Sequence, residues 1–244
     1  VQAFQPRALS GYIPAMEAIS DRYFQSWLTQ TELTWYPQLR DYTLDIACKL
    51  LIGLDNGSQT KLGELFETWC AGLFSLPINL PWTAFGKAWQ SREKLLSEIE
   101  QLIRARQTLL LENPEKTEAD ALDIMLNARD EDTGEGLSIE ELKDQVLLLL
   151  FAGHETLTSA IASFCLLMAQ NPDAMAKARA EQAQFANQPL TLAAFKEMTY
   201  LDQVIKEVMR LVPPVGGGFR EVLRNCEYGG FTIPKGWSAL YQIN

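Results

Sequence analysis

The sequence predicts a mainly α protein with one long central helix and a small β segment towards its C-terminal end. Apolar residues recur at intervals of three and four over most of residues 1–212, which is the spacing of amphipathic helices. Short segments broken by glycine and proline follow over residues 213–244, as in a small sheet. With 47% hydrophobic residues in 244, we expect a single domain over 1–244, incomplete at both ends, with a helical core (1–212) and the start of a β region (213–244).

Five helices are predicted before the central one. An apolar loop at Leu76–Pro81 separates the third from the fourth, because its two prolines remove backbone donors and restrict the residues before them. The predicted ranges are Ile13–Leu28, Pro37–Leu54, a helix that ends near Phe74, Thr83–Leu111 and Asp120–Arg129.

The central helix is predicted over Ser138–Gln170, a length of roughly 50 Å. Ser138 and Glu141 form an S-x-x-E capping box at its start. The acidic segment 130–141 partly matches a calcium loop, but glycine is missing at its sixth position, so the capping box is favoured. The helix is apolar enough to suggest a membrane span, yet His154 and Glu155 near its middle favour a buried core helix.

Two further helices and several short strands are predicted after the central helix. Asn171 and Pro172 begin a helix that runs to about Phe185, and Thr199, with Asp202, caps one that ends before Pro213. The strand-like segments are Phe219–Leu223, Tyr228–Ile233 and Trp237–Asn244, and no partner strand follows the last of these. This ending, with Val1 rather than Met at the start, suggests a fragment.

Charge and composition exclude several classes of function. The chain has 21 basic and 31 acidic residues, a net charge of −10, which argues against a nucleic-acid partner. The four cysteines form no C-x-x-C pair, and we expect them to be small buried hydrophobic residues in a reducing compartment. A metal centre built on paired histidines is excluded, because His154 is the single histidine.

Small residues line one face of the central helix. Ala152, Gly153, Thr156 and Ala160 fall on that face and should form a shallow trough. Gly153 costs about 1 kcal/mol relative to alanine inside a helix, which is explained either by a group that approaches the backbone or by close helix packing. Glu155 stands in apolar surroundings, so we expect burial to raise its pKa and prepare it to pass protons.

A second polar pair lies downstream. Glu207 and Arg210 stand three residues apart and therefore on one helical face, where they can form an ion pair. Such a pair is a weak signal when taken alone, because exposed helices often carry one.

Together these features resemble the heme-thiolate monooxygenases, the cytochrome P-450 superfamily, over nearly the whole chain. Ala152-Gly153-His154-Glu155-Thr156 is similar to the A-G-x-[DE]-T signature of that family, and Glu207-x-x-Arg210 to its E-x-x-R pair. Arg220 matches the family arginine that holds a heme propionate. The loop Leu76–Pro81 and the run Pro214–Arg220 resemble more narrowly the retinoic-acid-hydroxylating branch and its cyanobacterial relatives.

The resemblance implies heme b as cofactor and a role for each matching position. Ala152 and Gly153 would leave room for the porphyrin and oxygen, Glu155 and Thr156 would deliver protons for cleavage of the oxygen–oxygen bond, and Arg220 would bind the cofactor. Glu207 and Arg210 would be a structural ion pair, His154 a polar neighbour rather than a ligand, and the substrate cavity would be lined by Val215, Gly216, Gly217 and Gly218.

The implied reaction is hydroxylation of a large apolar substrate, such as a retinoid or another isoprenoid or fatty acid. It would use O2 and two electrons from a donor protein, either a ferredoxin or a flavoprotein reductase. We expect a cytoplasmic protein with no membrane span in this segment, because no signal peptide is visible.

One family motif has no match here. The glycine-rich F-x-x-G-x-x-x-C-x-G stretch that carries the cysteine ligand of the iron does not occur, and neither Cys165 nor Cys226 has its context. No metal ligand is therefore expected within these residues, and the chain by itself should be inactive. The alternative is a complete but non-catalytic helical relic that binds a lipid-like ligand or a protein partner.

Overall fold

The computed structural model describes residues 2–113, 120–186 and 188–243. Nine α-helices are found in these ranges: α1 (Pro6–Leu28), α2 (Trp35–Ile52), α3 (Lys61–Leu73), α4 (Ala84–Glu112), α5 (Ala121–Asn127), α6 (Ile139–Gln170), α7 (Pro172–Gln182), α8 (Leu192–Glu197) and α9 (Thr199–Leu211). Four short strands follow: β1 (Gly217–Glu221), β2 (Cys226–Tyr228), β3 (Phe231–Ile233) and β4 (Ser238–Gln242). The prediction of a mainly α protein with a C-terminal β segment is confirmed.

Local capping residues explain where several helices begin. The side chains of Thr60, Thr83 and Asp120 accept hydrogen bonds from backbone amides in the first turns of α3, α4 and α5. The predicted capping box is confirmed, since Ser138 Oγ accepts from the Glu141 amide at 3.3 Å and Glu141 Oε2 accepts from the Ser138 amide at 2.9 Å. The Glu141 side chain therefore caps the start of α6.

Two helices, α1 and α8, depart most from the prediction, and each has a local sequence signal at its start. α1 begins at Pro6, ahead of the predicted Ile13, with proline in the first turn, where its missing amide costs nothing. The short helix α8 was not predicted, although Thr191 Oγ1 accepts a hydrogen bond from the Ala194 amide at 3.1 Å.

The cap predicted at Thr199 is wrong. Thr199 is the first residue of α9, and Met198 in the cap position makes no side-chain cap hydrogen bond. Instead the Glu181 carboxylate, from α7, accepts from the amides of Tyr200 at 2.7 Å and Leu201 at 2.9 Å. A carboxylate is favoured at a helix N-terminus by the helix dipole, so a residue distant in sequence replaces the local cap.

The last predicted strand does have a partner, but an earlier one. β4 pairs antiparallel with β1, with Phe219 opposite Leu240 and Arg220 opposite Ala239. β2 and β3 form a separate two-stranded hairpin. The partner of an antiparallel strand can lie before or after it in the sequence. The lack of a later strand therefore does not leave Trp237–Asn244 unpaired.

The described residues form two compact units. The first contains the chain up to Thr158 together with Pro189–Lys196, and the second contains Ser159–Gln188 and the chain from Glu197 onward. This division lies within α6 rather than at residue 212, and the single domain over 1–244 stays a prediction.

The core of the first unit lies among α2, α3, α4 and α6. Phe66 is fully buried there, and burial of such a side chain stabilises the fold by about 1.5–3 kcal/mol. Cys48 and Cys70 belong to this core, as predicted, but Cys226 is exposed and Cys165 only half-buried, so the expectation of four buried cysteines is wrong. Other fully buried members are Leu44, Leu95, Ile99, Ile103, Leu122, Leu142, Val146 and Leu150.

The central helix α6 is long and apolar enough to cross a membrane by length and composition. Its most apolar 18-residue window has a mean hydropathy of 1.4, and 28% of that window is buried. Two polar side chains in its interior, His154 and Thr158, are fully buried and hydrogen-bonded to α2. These contacts favour a core helix, because both side chains find their partners inside the protein.

Candidate functional site

The predicted trough lies near the middle of α6. Ala152 is exposed and Gly153 half-buried. A Cβ placed on Gly153 would meet only Leu51 Cδ1 among the described residues, at an ordinary contact distance of 3.9 Å. Packing within the described chain therefore does not require glycine here, so of the two explanations for Gly153 the geometry favours a group that approaches the helix.

Thr156 presents its hydroxyl at the same turn. Thr156 Oγ1 donates a hydrogen bond to the Ala152 carbonyl at 2.6 Å, which fixes the direction of its proton. The oxygen still has lone pairs free to accept a hydrogen bond from a group above the trough.

Glu155 points to an arginine that sequence reasoning missed. Arg40, from α2, lies 3.0 Å (Nη2) from Glu155 Oε1 and donates from Nη1 to Oε2 at 3.2 Å. Arg40 also donates to Glu67 Oε2 on α3, at 2.7 Å from Nη2 and 3.2 Å from Nε. The guanidinium thus joins two carboxylates from two helices.

The charge state of Glu155 is the reverse of the expectation. Contact with the His154 ring lowers the pKa of Glu155 most, and the charge of Arg40 lowers it further against the opposing effect of burial. The pKa is therefore below its ordinary value, and Glu155 is ionised at neutral pH. The raised pKa predicted from apolar neighbours in sequence is wrong, because the His154 ring and the Arg40 guanidinium, which is 115 residues away in the chain, together outweigh the effect of burial.

Arg40, which pairs with both Glu67 and Glu155, is itself held firmly in its charged form. Burial lowers the pKa of Arg40, but the hydrogen bond and charge of Glu67 and the charge of Glu155 outweigh that effect and raise it. No local sequence pattern around Arg40 marks it as a site residue. Only the packing of α2 against α6 shows its role.

The pair Glu207–Arg210 is formed as predicted, on α9 in the second unit. Arg210 donates from Nε and Nη2 to the two carboxylate oxygens, at 2.7 Å each. Both side chains are more than half exposed, and the pairing lowers the pKa of Glu207 and raises that of Arg210. Glu207 also lines a cavity of about 380 Å³ with residues of α6, α7 and α9.

Arg220 lies on β1 with an aromatic residue that the sequence did not single out. Its guanidinium stands 5.0 Å from the ring centroid of Tyr241 on β4, and Nη2 donates to the Tyr241 hydroxyl at 3.3 Å. Nη1 donates to the Phe219 carbonyl at 2.8 Å. Strand pairing thus orients an exposed guanidinium that could bind the carboxylate of a cofactor.

The glycines before Arg220 have a structural explanation of their own. A Cβ on Gly217 would lie 2.2 Å from the Tyr241 carbonyl oxygen, and one on Gly218 would lie 2.8 Å from its hydroxyl. The close approach of the β4 backbone therefore requires glycine at Gly217, whereas the atoms near Gly218 belong to the outer end of the Tyr241 side chain, which can shift. Gly216 has open space around it and Val215 is exposed, and the substrate-cavity role of these four residues stays a prediction.

The site residues divide between the two units. Ala152, Gly153, Glu155 and Thr156 belong to the first unit, together with Arg40, and Glu207, Arg210 and Arg220 belong to the second. Each unit by itself has one feature that suits a heme group: the first has an open helix face at Gly153, and the second has the exposed guanidinium of Arg220.

Comparison with known proteins gives a consistent result. The family model for cytochrome P450 matches residues 2–243. The putative cytochrome P450 120 of Synechocystis sp. is 51% identical over this whole chain, which covers 54% of that protein. Cytochrome P450 26B1 of Xenopus tropicalis is 33% identical over 98% of this chain and 48% of its own length.

Solved structures agree with the sequence comparison. The retinoic-acid-bound cyanobacterial CYP120A1 matches with a TM-score of 0.90 at 51% identity, over 99% of this chain and 54% of that one. The heme domain of cytochrome P450DA matches with a TM-score of 0.87 at 21% identity, which shows the fold alone. The chain spans about half the length of the curated relatives it matches.

Proposed function

The chain belongs to the cytochrome P450 family, whose members bind heme iron, and on that premise we propose that it supplies the proton-delivery helix of a heme monooxygenase. The observation that carries the proposal is the arrangement at the middle of α6. An open face at Gly153 adjoins a threonine hydroxyl and an ionised glutamate that reaches a second helix through Arg40. Packing within the first unit does not by itself require an open face at Gly153.

Each residue has a defined task in the proposal. Heme, when bound, supplies the activation of O2. Ala152 and Gly153 keep the α6 backbone accessible, and the Thr156 oxygen accepts a hydrogen bond and orients a proton. Glu155 holds and passes protons, and Arg220 pairs with a cofactor carboxylate. Glu207 and Arg210 stabilise α9, and Val215–Gly218 contact the substrate.

The proposed iron ligand lies outside these 244 residues. Within the described ranges Cys48 and Cys70 are buried in the core of the first unit, and burial raises the pKa of both thiols, to about 12 for Cys48. Cys165 and Cys226 lack the family motif. A thiolate ligand must be deprotonated, so neither buried thiol suits the role.

The proposed substrate is a large apolar acid of the retinoid type. The support is the relative named for bound retinoic acid, at 51% identity, together with the narrower sequence resemblance. We propose O2 and an electron-donor protein, a ferredoxin or a flavoprotein reductase, as co-reactants, and a cytoplasmic location.

The test uses the full-length protein with retinoic acid as probe. The Thr156→Ala variant should still bind retinoic acid but should form much less product per O2 consumed, because the proton-orienting oxygen is lost. Thr108→Ala is the matched control, since Thr108 Oγ1 makes the same bond to the carbonyl four residues earlier, at 3.1 Å, on the exposed side of α4. Undiminished coupling in Thr156→Ala would show that Thr156 does not deliver protons. A full-length protein that binds no heme would instead support the non-catalytic relic.

A further inference from the structure

A fully buried imidazole adjoins the catalytic carboxylate. His154 has no exposed surface, and its ring packs edge-on against Phe66 of α3, with the ring centroids 5.5 Å apart. Its neighbours on the chain are Gly153 and Glu155, so it lies at the centre of the predicted signature. A buried ionisable ring normally has all its nitrogens matched to partners, which makes its contacts informative.

The contacts define which ring nitrogen carries a proton. Nε2 lies 3.1 Å from the Arg40 carbonyl oxygen, and a carbonyl can only accept, so Nε2 must bear hydrogen. Nδ1 then faces Glu155 Oε1 at 3.4 Å. Both of these atoms are buried, and neither makes a well-aligned hydrogen bond within the described residues.

The proton count of this pair follows from its lone pairs. A neutral ring with hydrogen on Nε2 would direct the Nδ1 lone pair at a carboxylate oxygen in a desolvated space, which is repulsive. One proton between Nδ1 and Oε1 removes that repulsion.

Charge balance places that proton on the ring. The carboxylates of Glu67 and Glu155 share one guanidinium, so the group of three carries one excess negative charge. Glu67 Oε1 also lies 3.9 Å from Nε2 and has no hydrogen-bond partner within the described residues. An imidazolium would bring Glu67, Glu155, Arg40 and the ring together to neutrality.

We infer that His154 is a positioning residue that carries a reserve proton on Nδ1 and gives it to the ionised Glu155, which then passes a proton on towards Thr156. The transfer is a proton exchange and needs no oxidant. Nδ1–H gives its proton to the Glu155 carboxylate, and Glu155 releases a proton towards the trough and is ionised again. Solvent then restores the ring proton through the side of Glu67, whose side chain is 40% exposed. The inference rests on the proposed function of Glu155.

Several titratable groups face this ring and its carboxylate, and all contribute to the balance. They are Tyr36, Arg40 and Asp41 on α2, Glu67 and Cys70 on α3, and Glu155 on α6. Burial and the charge of Glu67 raise the pKa of Asp41, and the charges of Arg40 and His154 oppose that effect.

The first experiment locates the proton without any turnover. The full-length protein is labelled with ¹⁵N-histidine, and the His154 signals are assigned by their absence from His154→Gln, in the diamagnetic carbon-monoxide-bound ferrous state. At pH 6–7 we expect both ring nitrogens to be protonated. In Glu155→Gln the carboxylate charge is gone, so Nδ1 should lose its proton while Nε2 keeps its own.

The matched control for this measurement is Thr158→Val. Thr158 Oγ1 lies 2.6 Å from Thr43 Oγ1, so this variant also breaks a buried contact between α2 and α6, one helical turn from His154, but it changes no charge. Both ring nitrogens should remain protonated in it. An unprotonated Nδ1 in the wild type, or a protonated Nδ1 that persists in Glu155→Gln, would overturn the inference.

A second readout follows the reserve proton during turnover. With retinoic acid as probe, His154→Gln keeps a donor for the Arg40 carbonyl but has no group that can gain and release a proton near neutral pH. We expect product per O2 consumed to fall about tenfold, less than the roughly 10²–10⁴-fold effect of a group that acts directly. Unchanged coupling in this variant would refute the role. A protein that shows the predicted ring protons but oxidises no substrate would refute the proposed function and leave the proton assignment standing.

Discussion

Substitution of Gly153 by alanine should stabilise the protein while it weakens cofactor binding. The magnitude follows from the contacts at this position. The added Cβ would touch only Leu51 Cδ1, at 3.9 Å, so no steric cost offsets the gain in helix propensity. Glycine in a helix interior is about 0.8–1 kcal/mol less favourable than alanine, so the heme-free protein should gain close to 1 kcal/mol of unfolding free energy.

The same methyl group would occupy space above α6. If heme or oxygen approaches the backbone there, as proposed, then a single methyl should weaken cofactor binding by roughly tenfold or more, equivalent to about 1.4 kcal/mol. Stability and cofactor affinity should therefore change in opposite directions.

The assay combines urea unfolding of the heme-free full-length protein with titration of its cofactor. Gly11→Ala is the matched control, because Gly11 lies inside α1 and its Cβ would have nothing within 4 Å. That variant should gain similar stability without any loss of cofactor affinity. Lower stability in heme-free Gly153→Ala would show a packing contact that the structure does not contain. Unchanged cofactor affinity would show that the trough does not face the cofactor.

Three further predictions concern the ion network, the sheet and the thiols. Arg40→Met should lower the free energy of unfolding by about 1–3 kcal/mol at pH 7, because the partly exposed carboxylates of Glu67 and Glu155 lose their cation. Because the fold lowers the pKa of Glu155, its ionised carboxyl stabilises the fold fully above the ordinary carboxyl pKa, and this stabilisation is lost as pH falls through the lowered pKa. Urea unfolding at pH 7 and pH 4 should therefore show that acidification reduces the free energy of unfolding less in Arg40→Met than in the wild type. Gly217→Ala should separate β1 from β4, since its Cβ would lie 2.2 Å from a backbone oxygen, and amide exchange of β4 should become much faster. At pH 8 maleimide should label exposed Cys226 and leave Cys48 unmodified, because burial raises the pKa of Cys48 to about 12; prompt labelling of Cys48 would contradict the burial.

Much of the helical framework could be predicted, because its signals are local. The capping box at Ser138 and Glu141 involves residues three apart, and the hydrogen bonds match the prediction. The pair Glu207–Arg210 also follows from helical spacing. The missed start of α1 at Pro6 and the missed cap at Thr191 carried local signals of the same kind.

The remaining features depend on residues far apart in the chain. The cap of α9 comes from Glu181, 19 residues before the amide that it accepts from, and β4 pairs with a strand that precedes it. No periodicity within a helix or strand encodes such partners. They are selected by packing, which satisfies backbone groups that would otherwise stay unpaired.

The sequence by itself determined that this chain carries a long helix with an open face and a glutamate and threonine side by side on it. Only the tertiary structure decided the charge state of that glutamate. Arg40 reaches Glu155 across 115 residues of sequence, and His154 is locked between them. The physical reason is that a pKa depends on the charges and solvent within a few ångströms, and those neighbours are brought together only when α2, α3 and α6 pack.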